Sequence, residues 1–249
     1  MLTQPLLDKL SQLKLTGFRQ ALEAQLHQPD YADLAFEDRL GLLLDIEVTR
    51  RENNRLQRRI RAANFPLQAT MEDLDLSPQR GLKRAEVLSL AHADWVGRHL
   101  NLLLLGPTGA GKSYLASALG RAACQVNYSV RYLRTSRLLS ELELALVDGS
   151  YSQLLTKLAR TQLLIFDDWL RDPLSSSQTR HLLEILDDRY GHSATMVVTQ
   201  VPVVDWLARI PDPTVADAIS DRLIHNAYRI QLKGESMRKV HSPLASNYT

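Results

Sequence analysis

The sequence predicts an α/β protein in three layers, a parallel β-sheet covered by helices on both faces, preceded by a small all-helical domain. Three observations predict it. From residue 99 onward short apolar runs alternate with longer amphipathic segments, the rhythm of strands joined by crossover helices. A glycine-rich loop falls between the first of these strands and the helix that follows it. Residues 1–65 have few helix breakers and many leucines at helical spacing.

Composition sets the outer bounds. The chain has 249 residues, 30 Lys plus Arg against 28 Asp plus Glu, and 45% hydrophobic residues, which argues against collagen, coiled-coil rods and a disordered chain. The net charge of +2 is an average that can hide a local basic patch. Cys124, the single cysteine, has no intrachain disulfide partner and reads as a small buried helix residue. The apolar runs around Leu42–Leu44 and Leu102–Leu105 fall well short of the roughly 18 residues a spanning helix needs. The start, MLTQPLLDKLSQLK, lacks the pattern of a secretory signal. A cytoplasmic protein with no membrane partner is the expectation.

The elements follow in order. Residues 1–65 form the helical domain, expected to bind DNA for reasons given below. Residues 66–98 are a linker and lead-in helix: NFPLQATMEDLDLSPQRG carries two prolines and no sustained period, and a helix then ends near Arg98. The α/β domain occupies 99–249. Its strands are expected in NLLLLG (101–106), YSVRYLRT (128–135), QLLIFDD (162–168), ATMVVTQ (194–200) and AYRIQL (227–232). Helices are expected over 111–126, twice between 135 and 162, over 176–190 and over 215–225.

The loop Gly106-Pro107-Thr108-Gly109-Ala110-Gly111-Lys112-Ser113 fits GxxxxGK[ST] without a mismatch, and Tyr114 follows it. Its glycines permit backbone conformations that let amides converge on phosphate oxygens, and the helix then starts at the anion with its positive dipole end. Lys112 reaches the β and γ phosphates in this reading, and the Ser113 hydroxyl ligates Mg²⁺. ATP and Mg²⁺ are the expected ligands; a glycine-rich turn that matches by chance is the alternative.

A hydrolytic site also needs a metal-linked carboxylate and a group that orients water. Leu163–Phe166 is apolar throughout, as expected of a central strand buried on both faces, and ends in Asp167 and Asp168. Ligands of open α/β sheets bind at the carboxyl ends of strands, where both acids emerge. Asp167 is the metal-linked candidate and Asp168 the water-orienting one, with helix capping as the alternative for each. About 55 residues and one further strand separate Lys112 from Asp167, which suits the P-loop class whose two motif strands have another strand between them in the sheet. Thr199 and Gln200 end the next strand and are candidates to sense the γ phosphate, against a plain strand-to-loop transition. Arg222 is a candidate for the arginine that a neighbouring subunit supplies to the transition state, against an intrachain ion pair. Arg238 could reach the nucleotide of its own subunit or be a solvated tail charge.

Arg50, Arg51, Arg55, Arg58, Arg59 and Arg61 crowd one stretch and, at about 100° per residue, occupy half of a helix circumference. Ile46, Leu56 and Ile60 cluster on the other side as the expected packing face. Six such charges suit a phosphate backbone, with strong salt dependence and little sequence specificity. A solvated face and an acidic protein partner are the alternatives.

With these residues in view, the last two thirds of the chain resembles the AAA+ ATPases of the helicase-loader clade, and the whole resembles the IstB family of insertion-sequence ATP-binding proteins. The resemblance rests on NLLLLGPTGAGKSYLA, LLIFDDW followed by PLS, TQVPVVDW and DRLIHNAYRIQLKGESMRK, and extends upstream through NFP and EDLDLS. It implies an AAA+ module behind a helical DNA-binding region, assembling as a homo-oligomer on double-stranded DNA with ATP, recruiting or stimulating a cognate transposase, and releasing on hydrolysis. It places sensor one at Thr199 or Gln200 and the trans-acting arginine at Arg222. Two departures bear on the site: Asp168 stands where many relatives carry Glu, and Leu170 where a glycine is expected after the tryptophan. A replicative helicase loader is the runner-up, and a small-molecule P-loop kinase the reading from another class.

Overall fold

A computed structural model describes residues 3–31 and 33–237. They divide into two compact units between Arg58 and Arg59.

The first unit contains α1 (Thr3–Gln12), α2 (Thr16–His27) and most of α3 (Phe36–Ala63). Leu7, Leu10, Ala21 and Leu43 are its buried apolar residues. Glu47 is buried as well and caps α2: its Oε2 accepts from the amides of Gly17 at 2.7 Å and Phe18 at 3.1 Å, and its Oε1 from Arg51 Nε at 2.6 Å. Burial pushes this carboxyl up, but those amides and the Arg51 guanidinium outweigh it and hold it below the usual value. The expected packing face of α3 is corrected here. Ile46 is 48% exposed while Leu56 and Ile60 are half-buried, and within the first unit Leu43 and Glu47 are the buried positions of α3. At 28 residues α3 is about 42 Å long.

The second unit begins with the last turn of α3, a few residues before the boundary expected from sequence. Arg59 anchors that turn, its Nε donating to Cys124 O at 3.0 Å and its Nη2 to Asn127 Oδ1 at 2.6 Å. The lead-in helix is split into α4 (Arg84–Ala91) and α5 (Asp94–Gly97), because Ala93 adopts a left-handed φ of 57° between them. Then come β1 (Asn101–Leu105), α6 (Lys112–Gln125), β2 (Val130–Arg134), α7 (Thr135–Asp148), α8 (Tyr151–Arg160), β3 (Leu163–Asp167), α9 (Ser176–Arg189), β4 (Ala194–Thr199), α10 (Pro213–Ile224) and β5 (Ala227–Gln231). α10 starts at Pro213 rather than Val215, because Asp212 caps it and a proline is already preorganised for the first helical position.

The strands form a parallel sheet in the order β2-β3-β4-β1-β5. β4 lies between β1 and β3, in keeping with the motif spacing. Leu103, Leu164, Phe166 and Val197 meet α7 through α10 in one core that includes Leu142, Leu158, Leu182 and Ile219. On the other face α6 crosses the sheet, closely enough that a Cβ on Gly120 would lie 2.8 Å from Ile165 Cδ1 and 2.6 Å from Phe65 Cε1. Cys124 sits in this layer, where burial pushes its thiol up to about 11.

All strands run the same way, so their carboxyl ends share one edge and their amino ends the other. The amino edge is tied by Arg189, whose Nη1 donates to Leu158 O at 2.7 Å and Thr161 O at 2.6 Å, with further bonds to Ala194 O and Thr195 Oγ1. Burial pushes its guanidinium down to about 9, still a cation at neutral pH. No helix among the described residues is long and apolar enough to cross a membrane.

Candidate nucleotide site and arginine face

The loop after β1 wraps the start of α6 at the carboxyl edge. Gly106 has φ +148°, and a Cβ there would lie 2.5 Å from Leu232 O, so only glycine fits. Gly111, at φ +94°, is the residue from which α6 starts. Lys112 Nζ is held over the loop by Gly106 O and Pro107 O, both at 2.8 Å. Thr108 Oγ1 donates to Gln200 Oε1, and Gly109 O accepts from Met237 N at 2.9 Å. Ala110 is buried under the loop.

Ser113 Oγ donates to Asp167 Oδ2 at 3.0 Å, so hydroxyl and carboxylate converge from α6 and β3. Two further donors fix that carboxylate: the Asp168 amide on Oδ1 at 2.9 Å, and the Tyr132 hydroxyl on Oδ2. Burial, then the Asp167 charge, raises the Tyr132 phenol, which keeps it a donor. Hard oxygen donors beside a phosphate loop suit Mg²⁺. Among the described residues no three His, Cys, Asp or Glu side chains could hold a metal by themselves.

Asp168 has φ 55° and Leu170 φ 51°, both left-handed. The glycine expected at 170 is thus a conformational requirement that a buried leucine meets under strain, which costs about 1–3 kcal/mol. The Asp168 carboxylate is part-exposed and meets Arg171 Nη1 at 3.4 Å. Thr199 and Gln200 differ in placement. Thr199 is buried, its Oγ1 donating to Trp169 O at 2.8 Å and accepting from Val201 N at 2.9 Å, whereas Gln200 touches the phosphate loop.

Beside the loop lies a cavity of about 720 Å³, walled by Leu74, Leu82, Tyr114, Leu232 and Met237. Arg80 staples its rim, donating to Asp75 Oδ2 at 3.0 Å, to Glu235 O at 2.7 Å and to Met237 Sδ. The Ser77 amide, then Arg80, holds Asp75 below the usual carboxylate range. Sequence reasoning missed Arg80 and Tyr132. Only the period-2 inward position of Tyr132 on its strand hinted at either.

Arg222 lies at the opposite edge: its carbonyl accepts from Asn101 Nδ2 at 2.8 Å, at the amino end of β1, and its guanidinium pairs with Asp187. This places it away from the phosphate loop of its own chain. Arg238 lies outside the described residues.

In the first unit, Arg50, Arg51, Arg55 and Arg58 line a hollow of about 320 Å³ with Lys14, which the sequence did not single out. Arg50 donates to Gln20 Oε1 at 2.6 Å, and Arg51 is paired with Glu47. Arg55, Arg58 and Arg61 are exposed, and no hydrogen bond or ion pair to another described residue engages them. Arg59 departs from the set, since its guanidinium is committed to the end of α6.

A parallel sheet of this order, a GxxxxGKS loop after β1 and a buried aspartate ending β3 define a P-loop module of the AAA+ class. The chain belongs to the family described as IstB-like ATP binding protein, which matches residues 8–245. It is 46% identical over 239 residues to the insertion sequence ATP-binding protein y4pL of Sinorhizobium fredii, covering 96% of this chain and 98% of that one. It is 33% identical to the insertion-sequence ATP-binding protein Rv3427c of Mycobacterium tuberculosis, covering 95% and 94%. Among solved structures DnaI superposes with a TM-score of 0.58 at 22% identity, covering 67% of this chain and 92% of that one. AMPPCP-bound DnaA from Aquifex aeolicus gives 0.58 at 16% identity, covering 74% and 56%. At such identities the likeness to both is one of fold.

Proposed function

We propose that the protein is an ATP-hydrolysing, DNA-binding helper of insertion-sequence transposition. It assembles as a homo-oligomer on duplex DNA with ATP, recruits or stimulates the cognate transposase, and is released by hydrolysis. The observation that carries the reading is the pairing of Ser113 with Asp167 beside Lys112, in a chain whose relatives are named for insertion-sequence ATP binding.

Lys112 leaves the loop carbonyls to meet the β and γ phosphates, and the apolar cavity beside the loop takes the base. Ser113 and Asp167 would hold Mg²⁺, which when bound neutralises phosphate charge. Asp168 orients water once it exchanges Arg171 for it, and Gln200 reads the γ phosphate through Thr108. Arg222 serves the site of a neighbouring subunit, since its own lies at the other edge of the sheet. Arg50, Arg51, Arg55, Arg58 and Arg61, with Lys14, track the DNA backbone with little base preference.

Sizing and imaging the protein with duplex DNA in ATP, in ADP and without nucleotide tests this reading. Assemblies that need both DNA and ATP support it; a monomer in all three conditions contradicts it.

A further inference from the structure

A second basic site lies on the α/β unit. β2 is an edge strand of the sheet, and beside its carboxyl end opens a cavity of about 510 Å³. Arg131, Arg134, Arg137 and Lys157 line it against a single carboxylate, Glu141. Glu141 meets only Arg131, through Nη2 at 3.4 Å, and leaves the buried Arg131 Nη1 without a partner among the described residues. Arg134, Arg137 and Lys157 are exposed, and none has an ion pair to a described residue. Ala62 also lines the cavity, on the same last turn of α3 that carries Arg61.

The wall of this cavity belongs to the nucleotide site. Tyr132, only 4% exposed, lines the cavity and packs edge-on against Phe65, with ring centroids 6.4 Å apart. Its hydroxyl donates to Asp167 Oδ2, the oxygen that Ser113 also meets. The Tyr132 side chain therefore links a cavity lined by four basic side chains and one carboxylate to Asp167 at the end of β3.

We infer that this cavity binds backbone phosphates of DNA, and that Tyr132 is the positioning residue through which a phosphate held there changes the setting of Asp167. Guanidinium forks match phosphate oxygens in pairs, and the exposed Arg134 and Arg137, with Lys157, supply the forks and the charge for such an anion. A phosphate drawn onto Arg134, two residues after Tyr132 on β2, and Arg137 acts on the cavity wall that Tyr132 forms and so on its hydroxyl. The inference rests on reading the chain as a DNA-binding ATPase.

The test measures duplex DNA binding across a salt series, and the fold stimulation of ATP turnover by saturating duplex, in the full chain. Arg134→Ser/Arg137→Ser, both at exposed positions, flattens the slope of log K against log salt by about 1.8, and Arg137→Ser alone by about 0.9. Tyr132→Phe keeps the ring and the wild-type DNA slope, but loses most of the stimulation by DNA, a change that mere loss of stability does not produce at saturating DNA. An unaltered slope in the double variant overturns the site. So does a double variant that keeps its DNA slope while losing affinity for polyglutamate, which assigns the cavity to an acidic protein. Tyr132→Phe with wild-type stimulation overturns the coupling. A wild-type chain that binds no duplex at low salt refutes the proposed function itself.

Discussion

Replacing Arg55, Arg58 and Arg61 together by serine isolates the part of the arginine helix that is not committed to other described residues. These three are exposed and engaged by no other described residue, whereas Arg51 is held by Glu47 and Arg59 by the end of α6. If each neutralises one phosphate, the slope of log K against log salt flattens by about 0.9 apiece, about 2.7 in all. Between about 50 and 200 mM salt the wild-type chain then loses about 40-fold more affinity than the triple variant. Fluorescence anisotropy with a labelled duplex at several salt concentrations reads this directly. Arg59→Ser is the internal control: it leaves the slope unchanged and lowers stability by about 1.5 kcal/mol, because Cys124 O and Asn127 lose a charged donor. A triple variant with the wild-type slope, or an Arg59→Ser chain with a flattened one, refutes the assignment.

Lys112→Ala weakens ATP binding by about 10- to 100-fold, the worth of a charge-assisted phosphate contact; an unchanged affinity in a fluorescent-nucleotide titration refutes the loop assignment. Arg222→Ala retains ATP binding and the fold, because its pair with Asp187 is part-exposed and worth about 1 kcal/mol or less. Its hydrolysis collapses, and mixing it with Lys112→Ala restores some turnover; no rescue argues for an intrachain role. Glu47 sits below its unfolded value of 4.5, so its contribution is present above that value and is lost as pH falls through the lower folded one. Glu47→Gln therefore costs about 1 kcal/mol at neutral pH, as a lost helix cap, and removes that part of the acid sensitivity in thermal melts.

The sheet was legible because its signals are local. The all-apolar β3, the loop glycines and the acids after Phe166 fix strand, turn and edge from neighbouring residues alone. What stayed hidden depends on contacts distant in sequence. Tyr132 reaches Asp167 only because β2 pairs with β3, and Arg80 meets Glu235 and Met237 from the far end of the unit. The packing face of α3 differs from expectation at Ile46, because helical period gives a stripe but not which of its residues a neighbouring helix covers. Leu170 shows the converse: a departure from the family pattern proved to mark the backbone conformation itself, with φ 51° where glycine is expected.

The proposed function requires one chain to couple ATP turnover at Lys112, Ser113 and Asp167 to DNA. Steady-state ATP hydrolysis with and without saturating duplex, in the wild type and in Lys112→Ala, tests it most directly. Turnover is expected to rise with duplex DNA and to be lost in Lys112→Ala. Turnover indifferent to DNA, or unchanged by Lys112→Ala, contradicts it.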